Sequence, residues 1–148
     1  MNLTKDFLLA EFTRSETASR MGRPIVPDQA IVDALTALCE NVLQPLRDAI
    51  GVTVQITSGY RPSWLNAVIG GSTTSQHMRG EAADINAVGY TPLQLCEKIV
   101  ELGLPFDQLI QEFDSWTHVS YAVPQRRSIL TARRIDGKTM YLKGLVAP

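Results

Sequence analysis

The two histidines of this chain place the strongest constraint on its fold. His77 lies in the segment Ser-Gln-His-Met-Arg-Gly-Glu-Ala-Ala-Asp, which ends at Asp84, and His118 lies in Trp-Thr-His. Two imidazoles and one carboxylate form the usual ligand set of a catalytic Zn²⁺, in which a fourth position is left to water. If the three residues bind one ion, the fold must bring two distant segments together.

Each of these residues also has an ordinary structural interpretation. An isolated histidine is more often a hydrogen-bonded structural residue, and an isolated aspartate is usually a cap or a turn former. Their joint context favours a metal site, and zinc suits the ligands best, although other divalent ions accept the same donors.

The size and charge of the chain limit what else it can be. Its 148 residues are enough for one domain that buries its apolar surface without disulfides. A net charge of −1, with 20% charged residues, gives no reason to expect a nucleic-acid partner. We therefore expect a single domain over residues 1–148, and a monomer. Cys39 and Cys96 fall on apolar helix positions, so we expect both to be buried free thiols.

The N-terminus and the hydropathy pattern bear on the location of the protein. The first residues lack the charged-then-apolar pattern of a signal peptide, and no apolar run approaches the roughly 20 residues of a membrane span. We expect synthesis in the cytoplasm and no insertion into a membrane.

The periodicity of the first half predicts a helix followed by a strand. Apolar residues recur at spacings of three and four over residues 28–50, with Asp28 suited to begin the helix and Gly51 to end it. Pro45 should kink this helix or divide it in two. The alternating residues after Gly51 predict a strand that ends at Ser-Gly-Tyr-Arg, and residues 63–69 predict a short helix.

The second half predicts one more helix and several strands. Thr91 and Gly103 mark the two ends of the helix, and residues 106–113 and 117–122 are expected to be strands. Asp-Gly at positions 136 and 137 predicts a tight hairpin near the C-terminus. The most economical interpretation of this hairpin is a solvated edge kept soluble by charge; the alternative is a face that meets an anionic polymer. Its basic residues are Arg126, Arg127, Arg133, Arg134, Lys138 and Lys143. Blocks of helices and antiparallel hairpins indicate an α+β fold, with a small antiparallel sheet flanked by helices.

The connection between the two strands suggests a catalytic base. If residues 114–116 form a three-residue connection, Glu112 lies opposite His118, and opposed side chains point to the same face. Glu112 would then be close enough to remove a proton from a water in the site. Asp114 is interpreted as a turn residue.

Other polar residues near the histidines could bind substrate. Arg61 leaves the predicted strand where its guanidinium could reach a carboxylate or a developing oxyanion, although a surface ion pair would explain it as well. Ser75 could donate to a substrate or simply fix its loop. No Gly-x-Ser-x-Gly sequence and no His-Glu-x-x-His helix occur, so neither a serine hydrolase elbow nor a zincin site is expected.

These motifs together resemble the D-Ala-D-Ala metallopeptidase family (M15), whose members are zinc carboxypeptidases and related bacteriophage endolysins with a hedgehog-like fold. The resemblance covers roughly residues 7–121. Its most specific element is Ser-x-His-x6-Asp followed by a late histidine. The resembling segments are Ser-Gly-Tyr-Arg from position 58, Leu-Asn from 65, Gly-Gly-Ser from 70, Ser-Gln-His-Met-Arg-Gly-Glu-Ala-Ala-Asp from 75 and Trp-Thr-His-Val-Ser from 116.

The resemblance implies a role for each candidate residue. The zinc ligands would be His77, Asp84 and His118; Arg61 would assist the substrate carbonyl; and Ser75, with Tyr60, would bind substrate. Several family members place an acid three residues before the last histidine, where this chain has Ser115. The catalytic base by resemblance is Glu112, six residues before His118, a placement found in some relatives.

The resemblance also implies the substrate class. It points to peptidoglycan stem peptides or their cross-bridges, cut as a D-Ala-D-Ala carboxypeptidase or as an L-Ala-D-Glu endopeptidase, and to a phage lysis enzyme that reaches the cell wall or periplasm after release. The rival hypothesis is a zinc-stabilised module that binds cell wall or protein without catalysis, because a fold of this kind need not be a working peptidase.

Overall fold

The computed structural model describes all 148 residues. The strands are β1 (Asn2–Thr4), β2 (Phe7–Leu8), β3 (Val54–Ser58), β4 (Ala82–Ala87), β5 (Gln108–Glu112), β6 (Trp116–Ser120), β7 (Ser128–Ile135) and β8 (Lys138–Lys143). The helices are α1 (Leu9–Phe12), α2 (Glu16–Arg20), α3 (Gln29–Leu38), α4 (Gln44–Ile50), α5 (Ser63–Ile69) and α6 (Pro92–Glu101).

The strands form one large sheet and one small one. Six strands pair in the order β3-β4-β6-β5-β7-β8, and β1 pairs with β2. This confirms a mixed α+β fold. The expectation of a purely antiparallel sheet is wrong, because β7 runs parallel to β5. The reversal arises where residues 121–127 carry the chain from β6 to the far side of β5, so that β6 and β7 flank that strand.

The sheet has one face on the helices and one face open. Ile85, Leu109 and Val119 point toward the helices and are fully buried. Their neighbours Asp84, Ile110 and His118 point the other way, because successive side chains of a strand alternate between faces. The apolar stripe predicted for residues 28–50 belongs to the same core, where four of its members are almost inaccessible: Leu35, Leu38, Val42 and Leu46.

The helix predicted over residues 28–50 is interrupted just before Pro45. A π-helical segment, Cys39–Leu43, separates α3 from α4. Its final hydrogen bond runs from the Gln44 amide to the Cys39 carbonyl, one residue longer than an α-helical bond. Pro45 is the second residue of α4, directly after this segment, and has no amide to donate to the preceding turn. The predicted division is therefore present, and the π-helical segment is where it occurs.

The shorter elements follow the sequence closely. Helix α5 spans the predicted residues, and α6 begins at the predicted cap, where Thr91 and Gln94 form a capping box. Asp136 and Gly137 both have positive φ and close the hairpin between β7 and β8, as expected. Both cysteines are buried free thiols.

No helix of the structure is both long enough and apolar enough to cross the bilayer.

The β5–β6 hairpin differs from the predicted register. Its connection is residues 113–115, where Phe113 and Asp114 take left-handed conformations, and Glu112 lies opposite Trp116 rather than His118. Asp114 is fixed in this turn because its backbone amide donates to the Gln111 side chain at 2.9 Å. Ile110 is the residue opposite His118. The predicted pairing is wrong by two residues, and a two-residue shift leaves every side chain on its predicted face.

A glycine allows the end of β3 to pass close to the N-terminal segment. A Cβ on Gly59 would lie 2.6 Å from both Cα and the carbonyl oxygen of Phe12, and neither backbone can move far. We expect Gly59→Ala to lower the free energy of unfolding by about 3 kcal/mol through this overlap, measured by denaturant unfolding. Gly103→Ala is the control, since a Cβ there meets no atom within 4 Å. It should lose about 1 kcal/mol from left-handed strain alone. Equal losses would contradict the close approach.

Candidate active site

His77 is held in a defined orientation by the backbone around it. It lies in a 3₁₀ turn, Gln76–Arg79, which the Ser75 hydroxyl caps by accepting from the His77 amide at 3.2 Å. Its ring Nδ1 is 2.8 Å from the carbonyl oxygen of Gly59. A carbonyl can only accept, so Nδ1 carries the proton and Nε2 presents a lone pair. This is the usual way in which a protein orients a histidine ligand.

Asp84 stands between the two histidines. Strands β4 and β6 pair so that Asp84 lies opposite His118, which places both side chains on the open face. Asp84 Oδ1 is 3.1 Å from Nδ1 of His118 and 3.4 Å from Nε2 of His77. The two imidazole rings meet edge to face with their centroids 5.1 Å apart.

This arrangement fits a tetrahedral metal ion. One ligand atom from each of His77, Asp84 and His118 can be chosen so that all three lie within 4.8 Å of one another. Ligands at about 2.0–2.1 Å from a tetrahedral zinc are about 3.3 Å apart, close to the two distances from Asp84. The predicted residues thus form a possible metal site, with His77 Nε2, Asp84 Oδ1 and His118 Nδ1 as its donors.

The environment of Asp84 keeps its carboxylate charged. Burial disfavours ionisation, but the adjacent His77 and His118 outweigh burial and hold the pKa of Asp84 well below its usual range. A deprotonated carboxylate is the form that binds a metal.

Glu112 lies beside these residues despite the altered register. Its Oε1 is 3.8 Å from Nδ1 of His118. Burial, followed by the nearby charge of Asp84, raises the pKa of Glu112 to about 7. Asp114, the other acid of the hairpin, forms two hydrogen bonds with the Gln111 side chain: its carboxylate accepts one and its backbone amide donates the other.

Arg61 reaches the same site from the end of β3. Its Nη2 donates to the Ser75 hydroxyl at 3.1 Å, while its buried Nε has no acceptor in the protein. Burial lowers the pKa of Arg61, but its guanidinium stays charged at neutral pH. The side chain of Arg61 lines the same cleft as the candidate ligands, so its guanidinium is placed to meet a bound ligand.

These residues line one cleft of about 890 Å³, near the upper end of the range for small-molecule pockets, roughly 300–1,000 Å³. Arg61, Ser75 and Glu112 share this cleft with the three candidate ligands. Tyr60 does not line it: its ring packs against the core and borders a separate groove beside α2. Arg61 borders both the cleft and that groove.

An ion pair between the buried Asp107 and the exposed Arg126 also lines the cleft. Asp107 is 2% exposed and accepts from the Arg126 guanidinium at 2.7 Å and from the Arg126 backbone amide at 2.7 Å. Gln76, next to His77, donates to the same carboxylate at 2.9 Å. This network joins the segment after β6 to the turn that carries His77.

The sequence did not predict a role for several residues of the site. The Gly59 carbonyl orients His77, yet glycine in a Ser-Gly-Tyr-Arg motif signals only a turn. Trp116 and Tyr141 line the cleft because of strand pairing across the sheet. The Asp-Gly turn alone is enough to predict that Tyr141 pairs with Ala132. No local sequence signal predicts that β7 lies beside β5, which is what brings Tyr141 to the cleft.

The chain was compared with models of protein families. A family model described as Peptidase M15 matches residues 5–120. The matched residues include every candidate metal ligand as well as Arg61, Ser75 and Glu112. No curated protein matches the chain.

Removal of a candidate ligand should abolish metal binding. We expect His77→Ala and His118→Ala each to lower zinc affinity on the order of 10²-fold or more, because two remaining donors hold the ion poorly. Asp84→Ala should also lower zinc affinity, by a smaller factor if a water molecule replaces the carboxylate as a ligand. Zinc should also raise the melting temperature of the wild type and not of these variants.

Elemental analysis and thermal unfolding with and without zinc measure these effects. Asp33→Ala, an exposed α3 residue that pairs with Gln29, is the matched acidic control. Stoichiometric zinc in both histidine variants would refute the site.

Proposed function

The chain belongs to the Peptidase M15 family, and we propose that it is a zinc metallopeptidase that hydrolyses peptide bonds in peptidoglycan stem peptides or cross-bridges. The observation that carries the proposal is the placement of His77, Asp84 and His118 around one point at the floor of an open cleft. A buried structural metal would have no reason to face such a cleft.

We assign zinc to this point because two nitrogens and one carboxylate oxygen are a donor set of catalytic zinc, with three protein ligands. When bound there, Zn²⁺ would act as a Lewis acid that lowers the pKa of a water molecule and polarises the substrate carbonyl. The hydrogen bond from His77 Nδ1 to the Gly59 carbonyl leaves Nε2 with the lone pair that would bind the ion.

In the proposed mechanism Glu112 moves the proton. Its carboxylate takes a proton from the attacking water as the water oxygen bonds to the scissile carbonyl carbon, and returns that proton to the nitrogen as the C–N bond breaks. Burial of Glu112 favours both acceptance and return of a proton near neutral pH.

Arg61 and Ser75 are proposed to hold the substrate. The Arg61 guanidinium, which lines the cleft, can donate to the carbonyl oxygen as negative charge develops on it, and a donor fixed before the reaction costs no reorganisation. The Ser75 hydroxyl positions this guanidinium through the 3.1 Å hydrogen bond.

The sequence motifs, rather than the fold, support a more specific substrate. By its resemblance to D-Ala-D-Ala carboxypeptidases and phage endolysins, we propose peptidoglycan peptides cut at a D-alanyl or L-alanyl-D-glutamyl bond, and a role in phage lysis. We further propose that residues 1–148 act as one monomeric domain on the cell wall.

The zinc-loaded protein should cleave purified muropeptides, with products identified by mass spectrometry. A chelator should stop the cleavage, because the proposed reaction needs the Lewis acid, and added zinc should restore it. His118→Ala, loaded under the same conditions, is the control for contaminating peptidases. Intact muropeptides across a range of pH and salt, with a folded protein and bound zinc, would favour a non-catalytic binding module instead.

Glu112→Gln separates the base from the metal ligands. The amide keeps the size of the side chain but cannot accept the proton, so we expect turnover to fall by about 10²–10⁴-fold while zinc stays bound. Asp114→Asn is the matched control and should do much less, since Asp114 is held in the turn by Gln111. Loss of activity in Asp114→Asn alone would mean that Asp114, and not Glu112, moves the proton.

A further inference from the structure

The C-terminal hairpin extends the cleft beyond the part of the chain that the family model matches. Strands β7 and β8 follow residue 120, the last matched residue, and belong to the same sheet as the candidate metal ligands. The sequence alone suggested a solvated edge, and β8 is indeed exposed along most of its length. One residue of β8, Tyr141, nevertheless lines the cleft.

Strand pairing places Tyr141 in one row with the proposed base. Glu112 pairs with Trp116 on one side and with Ala132 on the other, and Ala132 pairs with Tyr141. Residues in register on neighbouring strands point to the same face of a sheet. Trp116, Glu112 and Tyr141 therefore rise together from the floor of the cleft.

Ala132 lies between Glu112 and Tyr141 in this row, and its small side chain leaves space for a larger neighbour. Ala132 is fully buried and presents only a methyl group. Tyr141 can therefore lean across toward Glu112. The pKa of Tyr141 is raised, first by burial and then by the charge of Glu112, in agreement with that approach. Tyr141 is still 57% exposed, so its side chain remains accessible to a ligand.

The hairpin is anchored firmly enough to serve as a wall. Arg126, just before β7, is held by the buried Asp107 carboxylate. Within the hairpin, the Thr131 hydroxyl donates to the Gly144 carbonyl at 2.8 Å and accepts from the Val146 amide at 3.0 Å. A wall fixed before binding loses little entropy when a ligand docks.

Trp116 lines the cleft on the other side of Glu112. Trp116 and Tyr141 are three strand spacings apart, about 14 Å, which spans roughly four residues of an extended peptide.

We propose that Tyr141 is a substrate-binding residue that sets specificity, with its ring packed on the peptide and its hydroxyl donating to a peptide carbonyl beside Glu112. The C-terminal hairpin is then the second wall of the cleft, opposite the wall that carries Arg61 and Ser75. This inference rests on the proposed peptide substrate.

Binding can be measured without turnover in the zinc-loaded Glu112→Gln variant. The probe is a synthetic peptidoglycan stem pentapeptide, titrated by calorimetry. Adding Tyr141→Ala should weaken binding about tenfold or more, as for an aromatic anchor. Adding Tyr141→Phe should weaken it about fivefold, the weight of one neutral hydrogen bond. Met140→Ala is the matched control, because Met140 is 45% exposed on the same strand and points to the other face.

Unchanged binding in Met140→Ala, with the expected losses at Tyr141, supports the proposal. Equal affinity in the parent and both Tyr141 variants overturns it and leaves the proposed function intact. Equal losses at Met140 and Tyr141 also overturn it, because they indicate a general disturbance of the hairpin. A parent variant that fails to bind the pentapeptide refutes the proposed substrate, and this inference with it.

Discussion

The Asp84 carboxylate, placed between two imidazoles, is the interaction on which the rest of the site depends. It is 3.1 Å from one ring and 3.4 Å from the other, in a largely buried position. An ionised carboxylate is costly to bury unless it is paired, so the histidines must stay close to it. Two features of the fold keep them there: the pairing of β4 with β6, and the 3₁₀ turn that holds His77 against the Gly59 carbonyl.

Much of this arrangement could be predicted because its signals are local. Alternating side chains identify β3, and the cap at Thr91 marks the start of α6. A specific motif spacing singles out His77, Asp84 and His118. The same-face relation of Glu112 and His118 holds even though the pairing is wrong, because strand alternation repeats every two residues.

The features that escaped prediction depend on side-chain contacts and on chain paths that the apolar pattern of the sequence does not reveal. The register of β5 and β6 depends on Gln111 holding Asp114 in a left-handed turn. The parallel pairing of β7 with β5 depends on the path of residues 121–127, where Arg126 is held by the buried Asp107 carboxylate. Tyr60 falls outside the cleft because its side chain packs against the core.

The metal-bound crystal structure is the measurement that tests the central claim most directly. Crystals grown with zinc, with diffraction recorded across the zinc absorption edge, locate the ion and its ligands. The account predicts one ion held by His77 Nε2, Asp84 and His118 Nδ1, at about 2.0–2.2 Å from each, with the fourth position open to the cleft. An ion bound elsewhere, or a fourth protein ligand that closes the site, would contradict it.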